Sequence, residues 1–430
     1  MKNSHYYTDI MKIDPRVIAI IESAQEEVQT LFREVDEIAE YHQARILQTF
    51  IKHQISQRHF VGTTGYGYGD DGRDTLDRVY RDIFGSEDAL VRPQWVSGTH
   101  VLCDSLFALL RPGDTLLSVT GQPYDTLNDV IGAKMPTSGS LKEWGVNYKE
   151  IALLSEGELD LIRIKESLSD PNIKVVFIQR SRGYGWRKSL SVEDISYIIK
   201  FVKQIRPNIL TIVDNCYGEF TEECEPSSVG ADLTVGSLIK NPGGGLAPTG
   251  AYAVGTSYAI KLLAQRLTSP SIGREVGSFP YGYQMFYQGL FLAPHIVGQA
   301  IKGATLVGRV FDQLGYSVLP KWNDHRSDII QSIKFTSSEE LITFCQAIQS
   351  ASPVDGHVVP YPWDMPGYDH QVIMAAGTFI QGASIELSAD APIKEPYIVY
   401  LQGGLTYAHV KLAIMKVLTR MHKEGYIILD

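Results

Sequence analysis

Residues 208–220 read NILTIVDNCYGEF. The run ILTIV is apolar or β-branched throughout and shows no regular polar alternation. Such a run suits a strand covered on both faces, the usual state of a strand in a parallel sheet. It stops at Asp214. A carboxylate at the end of a core strand needs a partner, because an unpaired buried charge is costly. Either Asp214 caps a helix or sits in a structural ion pair, or it faces something bound at the strand end.

The same pattern recurs on both sides. Short apolar runs at 88–95, 114–120, 173–179, 232–238 and 250–256 are expected as strands, with amphipathic segments such as 191–207 between them. Strands alternating with helices predict βαβ units and a largely parallel sheet, whose ligands sit at the carboxyl ends of the strands. Upstream, Val17, Ile20, Ile21, Val28, Leu31, Phe32, Val35, Ile38, Ile46 and Phe50 recur at helical spacing over 15–58, predicting an arm of two or more helical segments. A glycine-rich loop, GTTGYGYGDDGRD at 62–74, precedes a further helix at 75–85. Residues 285–313 read as a long helix or a pair kinked at Pro294. Beyond it, 328–335 and 383–389 are expected as strands, 353–370 as a loop and 406–425 as a helix. The expected domains are a helical arm (1–60), a large α/β domain (61–312) and a small α+β domain (313–430).

Bulk properties narrow the function. The chain has 430 residues, 44% hydrophobic and 20% charged, with net charge −10. An acidic chain without a Lys/Arg block is a poor match for nucleic acid or an anionic membrane. Residues 1–15 lack an apolar signal core, and no 18-residue run is both apolar and uncharged, so neither export nor a membrane span is expected. Cys103, Cys216, Cys224 and Cys345 show no CxxC spacing, which suits reduced thiols in a cytoplasm.

The stretch GSLIKNPGGGLAPTG, 236–250, places Lys240 before its glycines. A nucleotide P-loop has the opposite order, and glycines 243–245 are expected instead to let the chain turn tightly and run close to a cofactor or a partner subunit. Lys240 follows the strand after Asp214, so neighbouring parallel strands would bring both to one edge. An Asp and a Lys so placed suit pyridoxal phosphate: the Asp keeps the pyridine nitrogen protonated, and the Lys bonds to the aldehyde and moves protons. Ser97-Gly98-Thr99 before a helix offers a phosphate site, although SGT there is also an ordinary N-cap. Ser237 is a second hydroxyl for the same phosphate. Tyr124, in QPYDT, is placed either to stack on the pyridine or to fill core.

The order SGT, QPYDT, VDN, SLIK resembles the trans-sulfuration group of pyridoxal-phosphate enzymes. More closely, the chain resembles the methionine gamma-lyase-like, or aluminium resistance protein, family. The matching stretches include GYGYGDDGRDTLDRVY, RPQWVSGTHV, DNCYGEF, KNPGGGLAPTGAY, YQGLFLAPH, HVVPYPWDMPGYDHQVIMAAGTFIQGASIELSAD and LQGGLTYAHVK, spread over about 60–415. The resemblance implies fold type I, with a mostly parallel sheet in a large domain and a smaller α+β domain. It implies pyridoxal phosphate, with Lys240 as Schiff-base lysine and Asp214 as pyridinium partner, and carbon–sulfur β- or γ-elimination from an amino acid. It also implies a homodimer or homotetramer in which the loop near Tyr66 reaches a neighbour's site. Aldol cleavage, racemisation, transamination and a weakly catalytic stress-response role remain the alternatives.

Two departures bear on the reaction. The group's Tyr-x-Arg becomes Tyr66-Gly67-Tyr68, with Arg73 as a substitute for the arginine. The group's carboxylate-gripping arginine falls at Glu386, and a carboxylate cannot do a guanidinium's bidentate work. Arg180, Arg182 or Arg187 would then hold the substrate, or Glu386 would favour a substrate with an extra ammonium. Gly67, Gly69 and Gly72 match a dinucleotide spacing but follow no convincing strand. His357, Asp364, Asp369 and His370 lack the spacing of a metal site, so no metal is expected.

Overall fold

The computed structural model describes residues 5–135, 137–154 and 157–429, so the first four residues of the expected arm lie outside it. The chain forms two compact units, residues 41–293 and residues 1–40 with 294–430. These divisions fall inside two long helices rather than at 60/61 and 312/313. Periodicity continues through both helices, so sequence spacing carries no mark of the change.

In the unit 41–293, seven strands form one sheet: β1 (Asp88–Arg92), β2 (Thr115–Ser118), β3 (Asn147–Glu150), β4 (Ile173–Gln179), β5 (Leu210–Asp214), β6 (Leu233–Ser237) and β7 (Ala251–Gly255). Their order is β1-β7-β6-β5-β4-β2-β3. The pairs from β6 through β5, β4 and β2 to β3 are parallel, and β7 is antiparallel to both neighbours. Alternate residues of each strand feed two cores. Val175, Phe177, Ile212 and Val235 pack with Val101, Leu106 and Leu263. Val176, Ile178 and Val213 pack with Ile164, Ile195 and Val202. Covering both faces is why these strands read as continuous apolar runs. The edge strand β3, NYKE, is polar and largely exposed, and its sequence carries no such signal.

The helices of this unit are α2 (Asp71–Phe84), α3 (Gly98–Leu109), α4 (Asp125–Ile131), α5 (Leu161–Ser167), α6 (Val192–Ile205) and α7 (Ser257–Leu267), after α1 (Pro15–Lys52), which enters from the other unit. The arm is thus one helix of 38 residues, where two or more segments were expected. Local chemistry sets the starts. The Ser191 hydroxyl accepts from the Asp194 N–H at 3.0 Å, and the Asp194 carboxylate accepts from the Ser191 N–H at 2.9 Å, a reciprocal cap for α6.

The second unit holds β8 (Ser317–Leu319), β9 (Ile330–Lys334), β10 (Val372–Ala375), β11 (Ser388–Pro392) and β12 (Ile398–Gln402), antiparallel in the order β10-β11-β12-β9-β8. Helices α9 (Ser338–Ser350) and α10 (Tyr407–Lys423) share its core, where Phe344, Ile348, Ile414 and Leu418 meet Ile333, Ala389 and Val399. The strand expected at 383–389 begins only at Ser388, so Glu386 lies in the turn before it. Helix α8 (Gln284–Gln313) keeps Pro294 inside one continuous helix. By length and composition α8 passes for a membrane span, but 67% of its most apolar window is buried, as in a core helix.

Candidate active site

Parallel pairing of β5 with β6 sets Asp214 opposite Val235 and brings Lys240, just past β6, to the same end of the sheet. Asp214 is buried, and its carboxylate accepts from the Cys216 N–H at 3.1 Å. Lys240 Nζ lies 4.0 Å from the centroid of the Tyr217 ring. Neighbouring strand ends therefore place an acid and an amine together, as the spacing of VDN and SLIK predicts.

The helix α3 begins beside them. Ser97 is its N-cap, accepting from the His100 N–H at 3.1 Å, so its hydroxyl proton stays free to donate. The first N–H groups of a helix have no intrahelical acceptor and favour an anion. A Cβ on Gly98 would lie 3.3 Å from Cys216 Sγ and 3.5 Å from Ser237 Cβ, so a side chain here would crowd the space between these residues. Ser237 Oγ is buried without a hydrogen-bond partner among the described residues. Thr99 Oγ1 lies 3.0 Å from the Tyr124 hydroxyl, and Gln179 Oε1 accepts the Tyr124 N–H at 3.0 Å. One small volume thus gathers Ser97, Gly98, Thr99, Tyr124, Asp214, Ser237 and Lys240. An orphaned hydroxyl beside a helix N-terminus fits a phosphate, and Asp214 and Lys240 fit the ring and aldehyde of pyridoxal phosphate.

The charges are strongly coupled. Burial raises the Asp214 pKa, while Lys240 and Cys216 work against that rise. Burial of Lys240 disfavours its ammonium, but Cys216, Tyr217, Asp214 and Tyr124 outweigh it and hold the pKa well above the usual lysine range. Burial and the Asp214 charge keep the Tyr124 hydroxyl protonated.

A family model described as methionine gamma-lyase matches residues 17–422. The chain belongs to the methionine gamma-lyase family. The YnbB protein of Bacillus subtilis strain 168 is 53% identical over 389 residues, 90% of this chain and 92% of that one. A solved structure of a carbon-sulfur lyase involved in aluminum resistance from Clostridium novyi NT matches with a TM-score of 0.94 at 51% identity, covering 98% of this chain and 99% of that chain. The pyridoxal-5'-phosphate dependent protein YhfS from Escherichia coli shares the fold at a TM-score of 0.61 and 16% identity, over 91% of this chain and 97% of its own. The architecture is fold type I of pyridoxal-phosphate enzymes, as expected from the motifs.

The other expected residues lie outside this cluster or are engaged elsewhere. Arg180 is fully buried and engaged: it donates to Asn215 Oδ1 at 2.7 Å, Thr221 Oγ1 at 3.3 Å and Glu222 Oε2 at 2.5 Å. It braces the interior and is not offered to a substrate. Arg187 donates to the carbonyls of Gln179 and Ser181 at 3.2 and 2.5 Å. Arg182 is buried in the turn after β4. Arg73 is buried and donates to the carbonyls of Gly67 at 3.0 Å and Glu275 at 3.4 Å, tying down the glycine-rich loop. That loop leaves the rings of Tyr66 and Tyr68 exposed, 5.6 Å apart between centroids. In the other unit, the Glu386 carboxylate accepts from the N–H groups of Phe379 and Ile380 at 2.8 and 2.9 Å. It ties its own turn together, so an extra substrate ammonium is not needed to explain it.

The glycines after Lys240 were expected to let the chain approach cofactor or partner. A Cβ on Gly243 would lie 1.8 Å from the Leu238 carbonyl, and one on Gly244 would lie 2.3 Å from that of Gly289. These glycines allow the turn and its packing on the first turns of α8. Sequence reading passed over Gln179, Cys216, Tyr217 and Asn241. Gln179 pairs in register with Asp214, at the end of the strand run expected at 173–179.

Proposed function

We propose that the protein is a pyridoxal-phosphate-dependent carbon–sulfur lyase acting on an amino acid. The observation that carries the reading is the meeting of Lys240 and Asp214 with the orphaned Ser237 hydroxyl at one helix N-terminus. Membership of the methionine gamma-lyase family and the likeness to the Clostridium novyi carbon-sulfur lyase support the elimination.

The residues divide the work. The α3 N-terminus with Ser97, Gly98, Thr99 and Ser237 would hold the phosphate. Asp214 would accept a hydrogen bond from the protonated ring nitrogen, and Tyr124 would cover one ring face. Bound there, the cofactor supplies an electrophilic carbon for amines and an electron sink for a broken Cα–H bond. Lys240 Nζ would be the amine that holds the cofactor and, when free, would take the proton from the substrate Cα. The C–S bond then breaks with its electron pair leaving on sulfur. With one water consumed, the products are a thiol, a keto acid and ammonia.

A homo-oligomer completes the reading. Tyr66 is 73% and Tyr68 64% exposed on a loop with positive φ at Gly65, Gly67 and Gly69. Two adjacent aromatic rings left in water are best covered by a second copy. The four free cysteines suit a reducing compartment, the cytoplasm.

The test is a panel of S-substituted amino acids offered to the purified chain with pyridoxal phosphate, following thiol and keto-acid release together. Equal release of both, abolished in Lys240→Ala, is the expected result. Spectral change with amino acids but no thiol would sink the lyase reading and favour another reaction or a binding role.

A further inference from the structure

The turn after β5 carries a bulky residue in a backbone conformation that suits glycine. Tyr217 has φ 75°, in the left-handed region, although Gly218 is its neighbour. Such strain persists only where the surroundings over-determine it, and it clusters at working sites. Here the surroundings are explicit. Asn241 Nδ2 donates to the carbonyls of Tyr217 at 3.1 Å and Glu219 at 3.0 Å. A Cβ on Gly218 would lie 2.5 Å from the Arg180 guanidinium, so the turn is pressed against that buried arginine. Asn241 adjoins Lys240 in the chain, so one residue ties the backbone carrying the lysine to the backbone carrying the tyrosine.

The outcome is a ring face 4.0 Å from Lys240 Nζ. We infer that Tyr217 is a positioning residue whose ring fixes the direction of the Lys240 amine when it is not bonded to cofactor and stabilises the ammonium it becomes on taking up a proton. The inference rests on Lys240 being the reacting amine. An aromatic face attracts a cation electrostatically without competing for its proton, as a carboxylate would. The other titratable groups around the lysine are Asp214 and Cys216 at the end of β5, Tyr124 at the start of α4, and Glu219 two residues beyond Tyr217. All four remain in the variants below, so a change in Lys240 reports the ring.

The experiment measures Lys240 in the full-length chain freed of cofactor. A neutral acylating reagent is applied across a pH series, and labelling of the Lys240 peptide is read by mass against that of the exposed Lys52. The apparent midpoint should fall by about one pH unit in Tyr217→Leu, a cation–π loss in a desolvated site converted to a pKa shift. Tyr217→Phe should keep the wild-type midpoint. Tyr217→Gly fits the left-handed backbone without strain, so it removes the ring from a chain that still folds, and it should match Tyr217→Leu. An unchanged midpoint in the leucine and glycine variants overturns the inference. So does a phenylalanine variant that falls as far as leucine, because the hydroxyl would then be the active part. Since no cofactor or substrate is present, the result stands apart from whether the chain is a lyase.

Discussion

The floor around Lys240 and the loop carrying Tyr66 solve opposite problems. In the floor, Arg180, Asn215, Glu219 and Asn241 are all at 0% exposure and answer one another within a single chain. Asn215 donates to Glu225 at 2.9 Å and to the Tyr252 hydroxyl at 3.1 Å, and Tyr252 donates to Glu219 at 2.9 Å. In the loop, Arg73 anchors the backbone from beneath, but the two tyrosine rings face water. Burying polar groups is tolerable only when they are paired, whereas exposed rings gain by being covered. The floor is therefore part of folding, whereas the loop is the surface proposed to meet a second copy.

Substitutions can break that contrast. The largest effect falls on the floor. Arg180→Ala takes the cation from the buried Glu225 and the half-buried Glu222 and should cost about 3–5 kcal/mol in chemical denaturation. A loss below 1 kcal/mol (roughly that of an exposed pair) would show that Arg180 is not structural.

Next comes the pH dependence of the same floor. Burial raises the Glu219 pKa to about 8. Its neutral form is favoured in the folded state, so the fold binds more protons than the unfolded chain between the ordinary glutamate range and pH about 8. Stability should therefore fall as pH rises through that window and level off above it. Glu219→Gln should remove this slope, and an unchanged slope would place its origin elsewhere.

At the rim of the floor, Ser237→Ala should weaken pyridoxal phosphate binding about tenfold, the worth of one hydrogen bond to a charged group. Equilibrium dialysis of the cofactor reads this directly. The smallest change in stability belongs to the loop. Tyr66→Ser with Tyr68→Ser should shift denaturation by less than about 0.5 kcal/mol per site while weakening self-association in sedimentation. Loss of folding with intact association would reverse the contrast.

Much of the sheet that carries the site was legible in the sequence because strands covered on both faces leave continuous apolar runs. Their polar ends, Asp214, Ser237 and Lys240, then stand out. What escaped depends on direction rather than type. A sequence places Arg180 at a strand end but not whether its guanidinium turns inward. Nothing in DNCYGEF marks Tyr217 as left-handed, since the constraint comes from Asn241 and Arg180. The polar edge strand β3 and the late start of β11 were missed because neither carries an apolar pattern of its own. Gly243 and Gly244 make close approaches within the chain, to the Leu238 carbonyl and to helix α8 at Gly289, where cofactor or a partner was expected.

The central claim is that Lys240 is the residue that bonds the cofactor. It is tested by incubating the full chain with pyridoxal phosphate, reducing with borohydride and locating the added mass by peptide mapping. The account predicts one pyridoxyl-phosphate adduct per chain, on the peptide containing Lys240, and none in Lys240→Ala. An adduct on another lysine, or none at saturating cofactor, would contradict it.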